Sequence, residues 1–170
     1  KYNYPGLYAA ADFHTACGIN DWTSPAQVQD CELVGLSDLA TGSATVQTKI
    51  VAYLADLVDI GVRGFRIDAA KHIQPVELDS IVTKLNRAVV AAGDARPYFF
   101  HEVIDMGDAG VRATDYYGVG FVGGSGSDIS EFKYRGIRDK FMGNGGQKVS
   151  ELATVSQANW GLIPTDKALV

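Results

Sequence analysis

Two short strand-type runs separated by a helix-type segment constrain the fold more than any other feature of the sequence. Residues 64–69 and 97–104 are rich in apolar and aromatic side chains, as buried strands are. Between them, a segment that begins at Pro75 and ends near Gly93 carries apolar residues at helical spacing. This succession predicts parallel strands joined by a right-handed helical crossover.

The same alternation continues on both sides of this unit. Helical spacing predicts a helix over 46–57 that stops at Gly61, and another helix within 135–155. Residues 128–134 and 168–170 are strand candidates, the first preceded by a glycine- and serine-rich stretch at 118–126. Residues 1–36 are interpreted as a long irregular loop, which inside a compact domain is usually functional. A closed (β/α)8 barrel takes about 250 residues, so this chain of 170 residues could supply only part of one.

The charge balance narrows the kinds of partner. With 15 basic and 20 acidic residues the chain has a formal net charge of −5, and its basic residues form no cluster. These features argue against a nucleic acid or an anionic membrane as partner. No apolar run approaches the roughly 20 residues that a membrane span needs.

Three charged residues stand near the ends of the two central strands. Side chains alternate along a strand, so Arg66 and Asp68 share one face while Phe65 and Ile67 share the other. A guanidinium and a carboxylate in a sheet interior are unusual, because removing each from water costs several kcal/mol unless the two pair. Glu102 repeats the arrangement near the end of the second run.

This arrangement predicts a catalytic α/β domain, because active sites gather at the carboxyl ends of parallel strands. Neighbouring strands lie about 4.8 Å apart. A retaining glycosidase needs its two carboxyl groups about 5–5.5 Å apart, so the spacing permits that chemistry. Two alternatives stay open on the residues alone. One is a structural Arg66–Asp68 ion pair with Glu102 solvated, and the other is a metal-dependent enzyme of another kind.

The two cysteines, Cys17 and Cys31, flank a polar, turn-rich stretch. A disulfide between them would close a surface loop and imply an oxidising compartment. Two free buried thiols fit the residues equally well.

Several motifs resemble those of the α-amylases. Residues 64–72 read GFRIDAAKH and resemble the family's signature around its catalytic nucleophile. Residues 101–105 read HEVID and resemble the strand that carries its proton donor. The segments 31–39, 131–134 and 160–164 also resemble stretches of animal-type α-amylases and their bacterial relatives. The two main motifs occur in the family's order, and the resemblance extends through nearly the whole chain.

The resemblance implies an α/β fold, a partial TIM (β/α)8 barrel with part of an irregular B-domain loop region. Residues 1–36 would belong to the B domain, which is inserted after barrel strand 3. Residues 37–170 would belong to the barrel, from about strand 4 to the start of strand 7. The family's upstream Asn-His motif and its third catalytic carboxylate are not in the sequence. We therefore expect an internal fragment with little or no activity alone.

The implied activity is endohydrolysis of α-1,4-glucosidic bonds in starch and maltooligosaccharides, with retention of configuration. By match to the motifs, Asp68 would be the nucleophile and Glu102 the general acid and then the general base. Arg66 would hold Asp68 ionised and oriented. In chloride-activated members of the family, the arginine that matches Arg66 also binds a chloride ion.

The resemblance also implies contacts to sugars and to calcium. Asp38 matches a carboxylate ligand of calcium, while Gln29 and His72 match positions that donate backbone carbonyl oxygens. Such an ion would pin the B domain to the barrel. The matched sugar-contact positions are Lys71, His72, Trp22, Leu33, Leu36 and Ile104.

Further implications concern the cysteines and the complete enzyme. The resemblance favours a Cys17–Cys31 disulfide and a secreted, extracellular enzyme that is a monomer when complete. Two other functions remain compatible with the motifs. A transglycosylase uses the same two carboxylates and differs in its products. A catalytically silent relative usually lacks the nucleophile or the acid, whereas Asp68 and Glu102 are both present.

Overall fold

The computed structural model describes residues 4–107, 109–120, 127–155 and 157–169, and for residues 157 and 158 the backbone alone. Part of the glycine- and serine-rich stretch at 118–126 lies outside the described residues, as does Val170 of the last predicted strand. The described chain forms one parallel sheet with helices packed on it.

The four strands of the sheet are parallel and follow one another in the order of the sequence. They are β1 (Gly64–Ile67), β2 (Tyr98–His101), β3 (Asp128–Ser130) and β4 (Ala168–Leu169). A strand order that never reverses is typical of a (β/α)8 barrel, whereas a doubly wound sheet changes direction at a switch point. The predicted α/β class is confirmed, and the chain forms a partial (β/α)8 barrel.

β1 and β2 are shorter than the predicted runs, and the third prediction is partly wrong. β3 ends at Ser130, and Phe132–Tyr134 forms a 3₁₀ turn instead of continuing the strand. The carboxylate of Glu131 causes this change, because it accepts hydrogen bonds from the N–H groups of Lys133 at 2.7 Å and Ile163 at 2.5 Å. A side chain bonded to its own following backbone competes with the strand ladder.

Two long helices cover one side of the sheet, α2 (Ala44–Asp59) and α3 (Pro75–Ala91). Pro75 occupies the first turn of α3, where its missing N–H is not needed. Both helices end before a glycine with positive φ, Gly61 at 106° and Gly93 at 94°. The N–H groups that follow bond back into the last turn, so the predicted stops are confirmed. The shorter helices are α1 (Pro25–Asp30), α4 (Arg135–Met142) and α5 (Gln157–Trp160).

The two faces of β1 and β2 have different surroundings. The helix face carries Phe65, Ile67, Phe99 and His101. Phe65 and Phe99 stack with ring centroids 5.4 Å apart, and Phe99 is 4% exposed. This face packs on the core, whose α3 members are Leu78, Ile81, Val82, Leu85 and Val89. The opposite face, which we call the cleft face, carries Arg66, Tyr98 and Phe100, so the predicted alternation is confirmed.

Residues 4–36 contain more regular structure than predicted, because α1 lies within them. The side chain of Ser24 caps α1 by accepting a hydrogen bond from the N–H of Gln27. Cys17 and Cys31 form a disulfide, which confirms the pairing favoured by the resemblance. The division of the chain at residue 36 stays a prediction. Among the described residues, no helix combines the length and the apolar character that a membrane crossing requires.

Candidate active site

The carboxylates of Asp68 and Glu102 follow directly after two neighbouring strands. Ile67 at the end of β1 pairs with His101 at the end of β2. The N–H of Glu102 donates to the carbonyl oxygen of Ile67 at 2.9 Å, which continues the parallel ladder by one bond. Asp68 and Glu102 therefore lie next to each other at the carboxyl ends of the two strands. The predicted adjacency of the two residues is confirmed.

Arg66 on the cleft face joins the two carboxylates. Its Nη1 donates to Oδ1 of Asp68, and its Nη2 donates to Oε1 of Glu102 at 2.6 Å. The hydrogen bond to Asp68 raises the pKa of Arg66 above its usual value, and the charge of Glu102 adds to this effect. One guanidinium thus spans the gap between the carboxylates. The width of the guanidinium group, together with the lengths of the two hydrogen bonds, is compatible with the separation of about 5–5.5 Å between the two carboxyl groups of retaining glycosidases.

The two carboxylates differ in exposure. The side chain of Asp68 is 73% exposed, whereas that of Glu102 is 18% exposed. The open carboxylate can meet a ligand directly, while the enclosed one is held by the protein. This arrangement is not the alternative of an isolated Arg66–Asp68 pair with a solvated Glu102, because Arg66 contacts both carboxylates.

One contact at this site was not predicted from the sequence. The backbone N–H of Ala69 donates to Oε2 of Glu102 at 3.0 Å. Ala69 has a left-handed backbone, with φ 48° and ψ 34°. An alanine carries no side-chain signal of such a role, and only its position directly after Asp68 could have drawn attention to it.

Four of the predicted sugar-contact residues contact one another, and three of them follow Asp68 or Glu102 closely in the sequence. Nζ of Lys71 lies 5.4 Å from the ring centroid of Trp22 and donates to the carbonyl oxygen of Ile104 at 3.1 Å. The rings of Trp22 and His72 pack edge to face, with centroids 6.0 Å apart. Trp22 is 47% exposed and Ile104 is 44% exposed. This group therefore offers an aromatic face and an aliphatic side chain to a ligand near the carboxylates.

Of the other two predicted contacts, Leu33 begins the tight turn Leu33–Gly35 and Leu36 directly follows it. Leu36 is 64% exposed and Val34 is 87% exposed, so the turn presents apolar surface to solvent. In the described part of the chain, the hydrogen bonds and ring contacts of the Trp22 group do not extend to these two leucines. Their role as sugar contacts stays a prediction.

The predicted calcium ligands lie in segments that approach one another. Nδ1 of His72 donates to the carbonyl oxygen of Val28, next to Gln29, at 2.7 Å. Burial lowers the pKa of His72, and the hydrogen bond to Val28 opposes this. Burial also raises the pKa of Asp38, and the charge of Asp30 adds to it. A half-buried carboxylate near a second carboxylate is a place where the charge of a cation would be favourable.

The donor set predicted for this site suits calcium better than a transition metal, and calcium binding stays a prediction. Among the described residues, no three His, Cys, Asp or Glu side chains converge where they could hold a metal ion. A site at Asp38 would therefore need backbone carbonyl oxygens, such as those predicted for Gln29 and His72. Carboxylate and carbonyl oxygens are the ligands that Ca²⁺ accepts. Oδ2 of Asp38 is hydrogen-bonded to Nδ1 of His14 at 2.7 Å.

Chloride binding by Arg66 is a separate prediction. Both terminal nitrogens of Arg66 donate to carboxylates. A halide would have to share this guanidinium with Asp68 and Glu102. Its binding at Arg66 stays a prediction.

His101 precedes Glu102 but belongs to the opposite face. It is fully buried, and neither ring nitrogen has a hydrogen-bond partner among the described residues. Burial lowers the pKa of His101 to about 4. The imidazole is therefore neutral near pH 7, and it packs on the helix face rather than joining the carboxylates.

Comparison with known proteins agrees with this geometry. The chain is 40% identical over 171 residues to an α-amylase of Thermomonospora curvata, covering 100% of this chain and 26% of that protein. It is 40% identical over 163 residues to an α-amylase of Tribolium castaneum, covering 94% of this chain and 31% of that protein. No protein-family model matches the chain.

The fold has a close counterpart among solved structures. A mutant of α-amylase I from Eisenia fetida in complex with maltohexaose matches 98% of this chain and 34% of its own, at 31% identity and a TM-score of 0.85. The chain thus spans between about a quarter and a third of the length of the relatives it matches. By sequence and by fold, the chain belongs to the α-amylase family.

Proposed function

We propose that this chain carries the nucleophile and the acid of an α-amylase. The complete enzyme would hydrolyse internal α-1,4-glucosidic bonds in starch and maltooligosaccharides with retention of configuration. The observation that carries the proposal is the pairing of Asp68 and Glu102 through Arg66 at the ends of two adjacent strands.

In the first step, a carboxylate oxygen of Asp68 attacks the anomeric carbon of the sugar on the non-reducing side of the scissile bond. The bond from that carbon to the glycosidic oxygen breaks, and Glu102 transfers its proton to the leaving oxygen. The product is a glycosyl ester on Asp68. The high exposure of Asp68 and the enclosure of Glu102 suit an attacking group and a held acid.

In the second step, the carboxylate of Glu102 takes a proton from water, whose oxygen attacks the same anomeric carbon. The ester bond to Asp68 breaks and the free carboxylate returns. Two inversions at one carbon give net retention. Arg66 supports both steps, because its positive charge stabilises whichever of the two carboxylates is ionised.

The substrate class is supported by the residues around the carboxylates. The exposed ring of Trp22 and the side chain of Ile104 provide apolar surface against which a sugar ring can stack. The α-amylase I mutant from Eisenia fetida was solved with maltohexaose, which is a glucan of the proposed type. Lys71 and His72 lie in the same group and would bind sugars on the leaving-group side.

Calcium is proposed as a structural ion, held by the carboxylate of Asp38 and the backbone carbonyl oxygens of Gln29 and His72. When bound, it would supply charge neutralisation and cross-link residues 1–36 to the barrel. In the complete enzyme, added Ca²⁺ should raise the Tm, because an ion that binds only the folded state stabilises it by about 2.7 kcal/mol at 100 times its Kd. Asp38→Asn should remove this calcium-dependent increase, and an equal increase in the variant would contradict the assignment.

Secretion is proposed because the chain has a disulfide between Cys17 and Cys31. Such bonds persist in oxidising compartments and are rare in the cytosol. The complete enzyme is proposed to be a monomer, which light scattering would check.

The proposed function is tested by trapping the glycosyl ester in the complete enzyme. A 5-fluoro maltosyl fluoride should label the enzyme, because the ring fluorine slows both formation and hydrolysis of the ester, whereas the good fluoride leaving group keeps its formation fast. Peptide mass spectrometry should place the label on Asp68. A label on another residue would exclude Asp68 as the nucleophile, and no label despite turnover would exclude the covalent mechanism.

A matched control uses a second carboxylate on the cleft side of the sheet. Asp128 accepts a hydrogen bond from Tyr98, whereas the two hydrogen bonds of Arg66 described above go to Asp68 and Glu102. Asp128→Asn should still be labelled at Asp68, whereas Asp68→Asn should not be labelled. Chromatography of the products from maltohexaose separates hydrolysis from glycosyl transfer, which would give chains longer than the substrate.

A further inference from the structure

Ala69 has a left-handed backbone conformation although it carries a Cβ atom. Among the described residues, only Val34 and Ala69 combine a Cβ atom with a positive φ. The left-handed region brings Cβ close to the following carbonyl oxygen, so residues other than glycine rarely adopt it. Val34 lies in an exposed turn, whereas Ala69 directly follows Asp68. Strained residues of this kind cluster at functional sites.

The strand register identifies what the left-handed conformation changes. In the β1–β2 ladder, Ile67 pairs with His101 and accepts a hydrogen bond from the N–H of Glu102. Continuing that parallel ladder would direct the N–H of Ala69 to the backbone carbonyl of Glu102. The N–H instead donates to the side-chain oxygen Oε2 of Glu102 at 3.0 Å. The turn at Ala69 thus diverts a ladder donor from the backbone of Glu102 to its carboxyl group.

Each oxygen of Glu102 consequently has its own donor. Oε1 accepts from Nη2 of Arg66 at 2.6 Å, and Oε2 accepts from Ala69. Arg66 also serves Asp68, and its long side chain has several rotatable bonds. The amide of Ala69 is part of the main chain and serves Glu102 alone. Two donors on two oxygens fix the plane of the carboxyl group, which a single donor would leave free to turn.

We propose that the backbone amide of Ala69 is the positioning group for the acid of this site. It orients the carboxyl plane of Glu102 so that the proton faces the leaving oxygen. This inference rests on the proposed function, since it presumes that Glu102 protonates a glycosidic oxygen. It adds a main-chain group, held by local strain, to a site otherwise described by its side chains.

The decisive change removes the N–H without adding a side chain. In the complete enzyme, Ala69 is replaced by lactic acid through nonsense suppression, which exchanges the amide N–H for an ester oxygen. Two substrates are compared, a maltooligosaccharide, whose leaving oxygen needs a proton, and α-maltosyl fluoride, whose fluoride leaves without one. The quantity is kcat/KM, which reports only the steps up to bond cleavage.

The ester should lower kcat/KM for the maltooligosaccharide about 100-fold, the size of effect expected when a catalytic group is misplaced. It should change kcat/KM for the fluoride less than about threefold, because that cleavage does not use the acid. Equal losses on both substrates would overturn the inference, since the amide would then support Asp68 or the fold in general. No loss on either substrate would overturn it as well.

Two side-chain variants keep the test decisive if the ester variant does not fold. Ala69→Gly keeps the N–H and adopts positive φ freely, so it should leave the ratio of the two kcat/KM values unchanged. Ala69→Val keeps the N–H but resists the left-handed conformation, so it should lose activity on the maltooligosaccharide selectively. Loss on both substrates in a folded Ala69→Val enzyme would contradict the role. An unaltered enzyme that cleaves neither substrate would instead contradict the proposed function.

Discussion

Successive side chains of β1 and β2 point alternately to the cleft face and to the helix face, and the polar side chains on the two faces differ in burial and pairing. Beside the cleft face, the charges of Arg66, Asp68 and Glu102 are paired with one another and reach solvent. On the helix face, the single polar side chain, His101, is fully buried without a hydrogen-bond partner in the described residues. Under the proposed function, we expect activity to depend on the first face and stability on the second. Substitutions on the two faces should therefore have separable effects.

The largest effect is expected for Asp68→Asn on the cleft side. The amide is a poor nucleophile, so turnover of maltooligosaccharides by the complete enzyme should fall on the order of 10⁴-fold or more. Because Asp68 is 73% exposed, the free energy of unfolding should change little. Assays of kcat and urea unfolding check the two parts. A large loss of stability would show that the faces are not separable.

Phe99→Ala on the helix face should show the reverse pattern. Phe99 is 4% exposed and stacks on Phe65, so removing its ring leaves a cavity. Unfolding free energy should fall by about 3–5 kcal/mol. At a temperature where the variant is folded, kcat should stay within about threefold of the original. Phe99→Leu is the matched control and should lose less stability, because it fills more of the space.

His101 should make the stability of the helix face depend on pH. Its pKa is about 4 in the folded chain, because of burial, and about 6.5 when unfolded. Between these values the unfolded state binds more protons, so stability is complete above pH 6.5 and falls as the pH drops towards 4. The loss attributable to His101 amounts to about 3 kcal/mol.

The variant His101→Leu isolates this contribution. It removes the proton-accepting ring and keeps an apolar side chain on the helix face. Urea unfolding of both proteins from pH 7 to pH 4 should show a shallower decline in the variant. The same decline in both proteins would assign the acid sensitivity to other groups.

The smallest effect is expected for Tyr98→Phe on the cleft face. The hydroxyl of Tyr98 donates to Oδ2 of Asp128 at 2.6 Å, and Tyr98 is 46% exposed. Burial and this hydrogen bond raise the pKa of Tyr98 to about 12, so the donor stays protonated over the working range. Water can replace an exposed partner, so unfolding free energy should change by less than about 1 kcal/mol. A larger change would mean that polar pairs on the cleft face also stabilise the fold.

The parts of this arrangement that repeat along the chain were predictable from the sequence. Alternation of side chains placed Arg66 and Asp68 on one face, and the helix between the two strands predicted that Glu102 would lie next to Asp68. Glycines at the ends of α2 and α3 marked the helix stops. These features depend on patterns of residues that are close together in the sequence.

The parts that depend on single tertiary contacts were not predictable. The end of β3 is set by the bond from Ile163, which is 32 residues away, to Glu131. The left-handed turn of Ala69 has no side-chain signature, and its partner Glu102 lies on another strand. The lack of a hydrogen-bond partner for His101 among the described residues depends on all the side chains that pack around its ring. Such features become visible only when the strands and helices are assembled.

The Cys17–Cys31 bond has a practical consequence for anyone producing the protein. It closes a ring that contains all of α1 and the predicted sugar-contact residue Trp22, and the reducing bacterial cytosol disfavours formation of such a bond. Closing a loop of about 15 residues is worth about 3 kcal/mol. In a reducing expression host this bond would not form and the loop would be less constrained. Export to the periplasm or culture medium is therefore the appropriate route.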